Sequence, residues 1–294
     1  MDGIGICLLL AGLLLAAASI QGVVSPDKHM QMMLTGNLPP LAGSAGEGRP
    51  RRQLATLHFA WSTVCVQIAT LVLLSAFLLP CLKMVQFLLV VCMTILVLGM
   101  RLTGVFGTVY RQMGVSSQGN TFLGVIGALS LCAFVVHWQR QGESDPDFVI
   151  EVAKGIEPLA YTAIGASVVL CLASMPAVYE PSSALEVTIA KEKLPTEKFD
   201  LVKCEEYVRL MSAASTLHHA GMALAILTAD YSDRNKTIQV FCSLFVCYNL
   251  AQAAFCVYLV LNRDVLGFMV PPALGLLFFY AFTAGAVAIG MFFV

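Results

Sequence analysis

The feature that most constrains this chain is a series of uninterrupted apolar runs of about 20 residues, the length at which an α-helix crosses a bilayer's hydrocarbon core. Charged residues make up 12% of the 294 positions and hydrophobic residues 58%, whereas a soluble domain carries about twice that charged share. Mean hydropathy is +0.81. The alternating apolar–polar pattern of a membrane β-barrel is absent. These observations predict an all-α, polytopic integral membrane helix bundle with about eight transmembrane helices.

A net charge of -1 gives no reason to expect nucleic acid as a partner. The 10 cysteines do not suggest a disulfide framework. Cys7, Cys65, Cys92, Cys132, Cys171, Cys242, Cys247 and Cys256 lie inside apolar runs, where a thiol behaves as a small hydrophobe. Cys81 and Cys204 sit near span ends, and no CxxC occurs, so zinc and redox readings lack support.

In chain order, the predicted spans are 4–24, 54–79, 84–109, 121–138, 158–178, 207–228, 237–261 and 265–294. The first resembles a secretory signal peptide in its apolar core, but only Asp2 precedes it where a basic region belongs, so retention is expected. Pro80 closes the second span, Trp138 suits an interfacial anchor of the fourth, and Ser144-Asp145-Pro146 reads as a helix start. Pro271-Pro272 are expected to interrupt the first turn of the last span or break the helix.

Two long loops, 25–53 and 179–206, fall on one side of such a bundle. The first ends in Arg49, Arg51 and Arg52, and the second mixes lysines with glutamates in the manner of a solvated surface helix. The positive-inside rule places both loops in the cytoplasm and both termini on the opposite side. A glycosylation sequon, Asn235-Lys236-Thr237, lies too close to the seventh span to expect its use.

The layout suggests an internal repeat of 1–140 on 156–294. Span one is followed by Val-Val-Ser-Pro (23–26), a long loop and a span carrying Thr56-Leu57-His58. Span five is followed by Val-Tyr-Glu-Pro (178–181), a long loop and a span carrying Thr216-Leu217-His218. Such a chain would consist of two parallel four-helix halves in one membrane domain.

Candidate functional residues are the polar groups at membrane depth, because ionisable side chains there mark pathways or sites. His218 and His219 sit near the middle of the sixth span. Arg101 lies in the last third of the third, and Gln67, Gln86, Asn249 and Gln252 add amides, the last two one helical turn apart. No acidic residue falls inside a span, which argues against a carboxylate proton relay or cation site. His58, His137, His218 and His219 raise a haem reading, but they fall at different depths. Adjacent histidines also diverge by about 100° on a helix. No GxSxG, Walker A, GxGxxG or HExxH motif occurs, and no nucleophile is paired with a base, so catalysis is not expected.

Small residues recur at close helical spacing, as in Gly12 and Ala16, Gly124 and Gly127, and Ala281, Ala284, Gly285, Ala288 and Gly290, which lets helices approach closely. Three functional readings remain. The first is a non-catalytic scaffold or accessory subunit of a larger membrane assembly, in contact with lipid and with other membrane proteins or a second copy. The second is a transporter or channel for a small, weakly polar solute, with a midplane site at His218/His219 and Asn249/Gln252. The third is a haem-binding electron carrier; no cofactor is otherwise expected.

Overall fold

The computed structural model describes residues 3–34, 38–39, 48–77, 116–141, 158–227 and 234–291. These residues form helices α1 (Gly3–Val24), α2 (Pro26–Met33), α3 (Arg49–Phe77), α4 (Ser117–Gln141), α5 (Pro158–Tyr179), α6 (Pro181–Thr188), α7 (Lys198–Leu227), α8 (Arg234–Leu261), α9 (Arg263–Leu266) and α10 (Val270–Met291). The predicted all-α class holds. Among the described residues, five stretches are long and apolar enough to cross a membrane: Gly5–Val24, Arg49–Leu74, Leu159–Tyr179, Gln239–Leu261 and Val270–Met291.

The remaining predicted spans fare differently. The fourth and sixth fall on α4 and α7, which are long helices but less apolar. At 30 residues, α7 is about 45 Å long, and its N-terminal part, 198–209, carries Lys198, Asp200, Lys203, Glu205, Glu206 and Arg209. The third predicted span, with Gln86 and Arg101, lies outside the described residues, as do Pro80 and Ser144 to Pro146.

The two long loops are corrected in part. Residues 26–33 and 181–188 are short helices. Arg49, Arg51 and Arg52, expected to close a loop, belong to the first turn of α3. Proline at the first position of α2 and α6 explains both starts, since that residue needs no intrahelical N–H bond. Each follows a single non-helical residue, Ser25 (φ -140, ψ 66) or Glu180 (φ -124, ψ 66). The 179–206 segment is not simply solvated, because Lys203 and Glu206 are buried. Lys203 Nζ lies 3.8 Å from Asp200 and Arg209 lies 3.4 Å from Glu206, each within one turn of α7.

Pro271 and Pro272 do not break a helix; they occupy the first turn of α10. The chain stops before them instead, at Gly267, whose φ of 77° caps α9 in the left-handed region that glycine enters freely. There Ile189 forms an antiparallel bridge with Phe268. The Met269 N–H donates to Thr188 O (2.8 Å), and the Ala190 N–H donates to Gly267 O (3.1 Å).

The apolar core has two parts. One gathers Leu54 and Leu57 of α3 with Cys204, Tyr207 and Leu210 of α7, against Met30, Leu185 and Leu266 from the short helices. The other gathers Val64, Ile68 and Val72 of α3 with Ala214, Met222 and Ile226 of α7, against Leu8, Leu159 and Phe245. Helices α3 and α7 therefore run in the same direction through the centre, with α2, α6 and α9 assembled at their N-terminal end. In a bilayer, lipid is as apolar as leucine, so this arrangement rests on tight packing rather than on escape from water. The outward faces of α5 and α10 stay apolar and exposed, through Tyr161, Val169 and Leu172 and through Phe278 and Phe282.

Candidate functional site: two buried histidine clusters

The first cluster joins α2, α3 and α7. His29 is carried inward because α2 is amphipathic, burying His29, Met30 and Met33 on one face. His29 Nδ1 lies 2.8 Å from His58 Nε2, and His58 Nδ1 lies 2.9 Å from the Tyr207 hydroxyl. All three residues are buried, and Trp61 packs one turn along α3 at a ring separation of 5.5 Å from His58. Beside the cluster, Arg51 donates from Nε to Asp27 Oδ1 and ties α3 to α2. Gln53 Nε2 donates to the backbone carbonyls of Lys193 (3.0 Å) and Leu266 (2.7 Å), which fixes α3 to the loops around α9.

Gly22 of α1 lets this cluster close. A Cβ at that position would overlap Ser62 Oγ and fall 2.9 Å from His29 Nδ1. Burial lowers the His29 pKa below its ordinary value. Burial also raises Asp200 and lowers Lys203, each opposed by its partner's charge.

The second cluster joins α7, α8 and α5. The rings of His218 and His219 both pack on Tyr248, His218 stacked at 4.3 Å and His219 edge-on at 5.1 Å. Their own ring centroids are 5.2 Å apart, so the rings lean together despite the divergence of adjacent helical positions. The Tyr248 hydroxyl is 3.4 Å from Ser215 Oγ, and Ser174 Oγ of α5 donates to Ser215 Oγ at 3.3 Å. One residue after Tyr248, Asn249 Nδ2 donates to Phe245 O, and Asn249 Oδ1 accepts from Thr283 Oγ1 of α10 at 3.3 Å.

Among the described residues, none of the four ring nitrogens of His218 and His219 has a hydrogen-bond partner, although the residues are 2% and 0% exposed. Ser167 Oγ of α5 and Gln252 Nε2 of α8 are likewise buried without partners. Each neutral imidazole offers one donor and one acceptor, and a buried unpaired polar group costs about 1–3 kcal/mol. The donor and acceptor that each ring offers thus stand unengaged beside the Tyr248 ring.

The expected site residues thus divide. His218 and His219 meet α8 through Tyr248, next to Asn249, with Gln252 buried one turn further on. His58 belongs to the other cluster, and along α7 Tyr207 and His218 are about 16 Å apart. Arg101 and the side chain of His137 lie outside the described residues. His29, Tyr207, Tyr248, Ser215 and Thr283 do not stand out in the sequence as site residues. Inward spacing of His29, Met30 and Met33 behind Pro26 was the signal for the first; the rest read as ordinary helix-core residues.

The fold and these clusters define a polytopic helical protein of the membrane class. No protein-family model, curated protein or solved structure matches the chain.

Proposed function

We propose that this protein is a transporter or channel for a small, weakly polar solute, and that the solute meets His218 and His219 against Tyr248. The observation that carries the reading is the set of four buried imidazole nitrogens without hydrogen-bond partners among the described residues. A purely structural histidine pair would be expected to satisfy its nitrogens within the bundle, as His58 does with His29 and Tyr207. A solute with both donor and acceptor groups would complete them. The accessory-subunit reading gives those nitrogens no role, and the exposed apolar faces of α5 and α10 suit lipid without further partners. The haem reading loses His58 as a ligand, because both its ring nitrogens are already engaged.

The architecture we infer is two parallel four-helix halves, eight spans in all. Helix α1, Ser25 and α2 correspond to α5, Glu180 and α6, with matching backbone at the break. The Ser116 N–H donates to Met33 O as the Met269 N–H donates to Thr188 O. Aligning α3 and α7 by their C-terminal bounds, Phe77 on Leu227, pairs buried Gln53 with Lys203, Leu57 with Tyr207, Ala60 with Leu210 and Ala76 with Ile226. This register pairs His58 with Val208 rather than with His218, so the shared Thr-Leu-His tripeptides are not equivalent. Ile68 and Ala69 then stand where His218 and His219 do, which implies one solute site per chain. The basic, long-loop end (α2, α6 and α9) is assigned to the cytoplasm by charge.

Stopped-flow swelling of proteoliposomes in urea, acetamide or glycerol tests the reading. At least one solute should enter faster than into protein-free vesicles, and His218→Leu with His219→Leu should remove the excess. Entry at the protein-free rate for the whole panel would contradict it.

A further inference from the structure

We propose that the solute's path runs between α5, α7 and α8, past Gln252, the His218–His219 pair and Ser167 in turn, and that α5 is the wall that parts to open it. This deepens the transport reading and rests on it. What carries it is the order of the unpartnered groups along the bundle. Gln252 Nε2, the four imidazole nitrogens and Ser167 Oγ are all buried without hydrogen-bond partners among the described residues.

Their depths follow from the contacts between helices. Helix α5 leads into α6 and α8 into α9, so both run toward the loop end, opposite to α7. Ser174 of α5 meets Ser215 of α7 at 3.3 Å. Ser167 lies two turns before Ser174, on the same face of α5 and about 10 Å further from the loop end, level with Met222 of α7. Gln252 lies one turn after Tyr248, on the same side of α8 and about 6 Å nearer the loop end. The histidines stand between these two levels, against Tyr248. Ser167 is the least expected member. A helix serine commonly returns its hydroxyl to the carbonyl four residues before, as Ser174, Thr216 and Ser243 do on these same three helices. Ser167 does not, although it is fully buried.

A polar group left unpaired in apolar surroundings costs about 1–3 kcal/mol. Stations about one turn apart let a molecule the size of urea or glycerol reach one before it leaves the last. The enclosing stretches 158–179, 210–227 and 237–261 contain no charged residue, so an ion would cross uncompensated. The path therefore takes uncharged solutes that both donate and accept. Every station is closed off from water in this conformation. Helix α5 is the wall suited to move, because its side facing α7 carries small residues at Ala160, Ala163 and Ser167. Pro176 inside α5 also cannot donate to the Leu172 carbonyl, and helices bend at such a break.

The test is labelling of the full chain in proteoliposomes with methyl methanethiosulfonate, each cysteine quantified by mass spectrometry. The reagent attacks ionised thiols, so it reports contact with water. Ser167→Cys and Gln252→Cys should each react several-fold faster than Cys65 and Cys204, which are buried elsewhere, and than Cys247, which is exposed on α8. A solute that permeates should slow both. A rate at either site as low as that of Cys65 would overturn the path; flux that His218→Leu with His219→Leu removes would then leave the transport reading standing. Fast labelling of both sites with no solute flux in the native protein would uphold the path and sink the transport reading. Ser167→Cys is nearly isosteric and decides alone if Gln252→Cys does not fold.

Discussion

Replacing Gly22 with alanine is a one-carbon test of the first cluster. The added Cβ would overlap Ser62 Oγ, fall 2.8 Å from Ser62 Cβ and 2.9 Å from His29 Nδ1. Each contact is well inside van der Waals distance, so α1 must shift away from α3 or His29 must leave His58. Overpacking of this kind costs about 1–3 kcal/mol. It is offset by at most about 1 kcal/mol from alanine's helix preference. Gly165→Ala and Gly285→Ala supply controls, because a Cβ at either site meets nothing within 4 Å. Thermal unfolding of the purified protein in mild detergent, followed by tryptophan fluorescence, reads the effect. Gly22→Ala should lower the apparent Tm by several degrees, while the two controls stay at or slightly above the native value. Adding Ser62→Ala should recover part of the loss, since it removes the overlapping oxygen. A Gly22→Ala protein as stable as the native one would refute the close packing of α1 on this cluster.

Other outcomes follow from the same geometry. Burial lowers the His29 pKa, so the unfolded chain binds more protons than the folded one near that pKa, and stability rises with pH. The contribution is complete above the ordinary histidine value of about 6.5 and is lost as pH falls below it; His29→Gln should flatten the Tm–pH curve in that window. Thr283→Val leaves Asn249 Oδ1 without its donor and should cost about 1–3 kcal/mol, read as a lower Tm. Gly267→Ala forces a side chain into φ of 77° and against Lys193, and should cost at least about 1–2 kcal/mol from backbone strain. Its readout is faster proteolysis of the 262–269 connection.

The membrane class and most helix bounds were legible because apolar run length reports helix crossing directly. The predicted spans 158–178 and 237–261 nearly coincide with α5 and α8. What escaped the sequence depends on contacts between distant positions. Lys203 and Glu206 read as solvated charges, but α7 is the central helix, and its first turns are covered by α2, α3 and the segment around α6. His29 looked like a loop residue because its partner lies 29 positions away, and Tyr207 meets His58 across 149. His218 and His219 were visible as polar groups in an apolar run, whereas the Tyr248 ring that gathers them was not, since tyrosine is common in membrane helices.

The most direct test of the central claim is diethyl pyrocarbonate footprinting of the native protein in lipid, with each histidine quantified by mass spectrometry. The reagent needs a free imidazole nitrogen and a path from water. If His218 and His219 line a solute route, both should be modified well above His58, whose nitrogens are engaged, and a permeant solute should protect them. If His218 and His219 stay as unreactive as His58, the route does not reach them and the account is wrong.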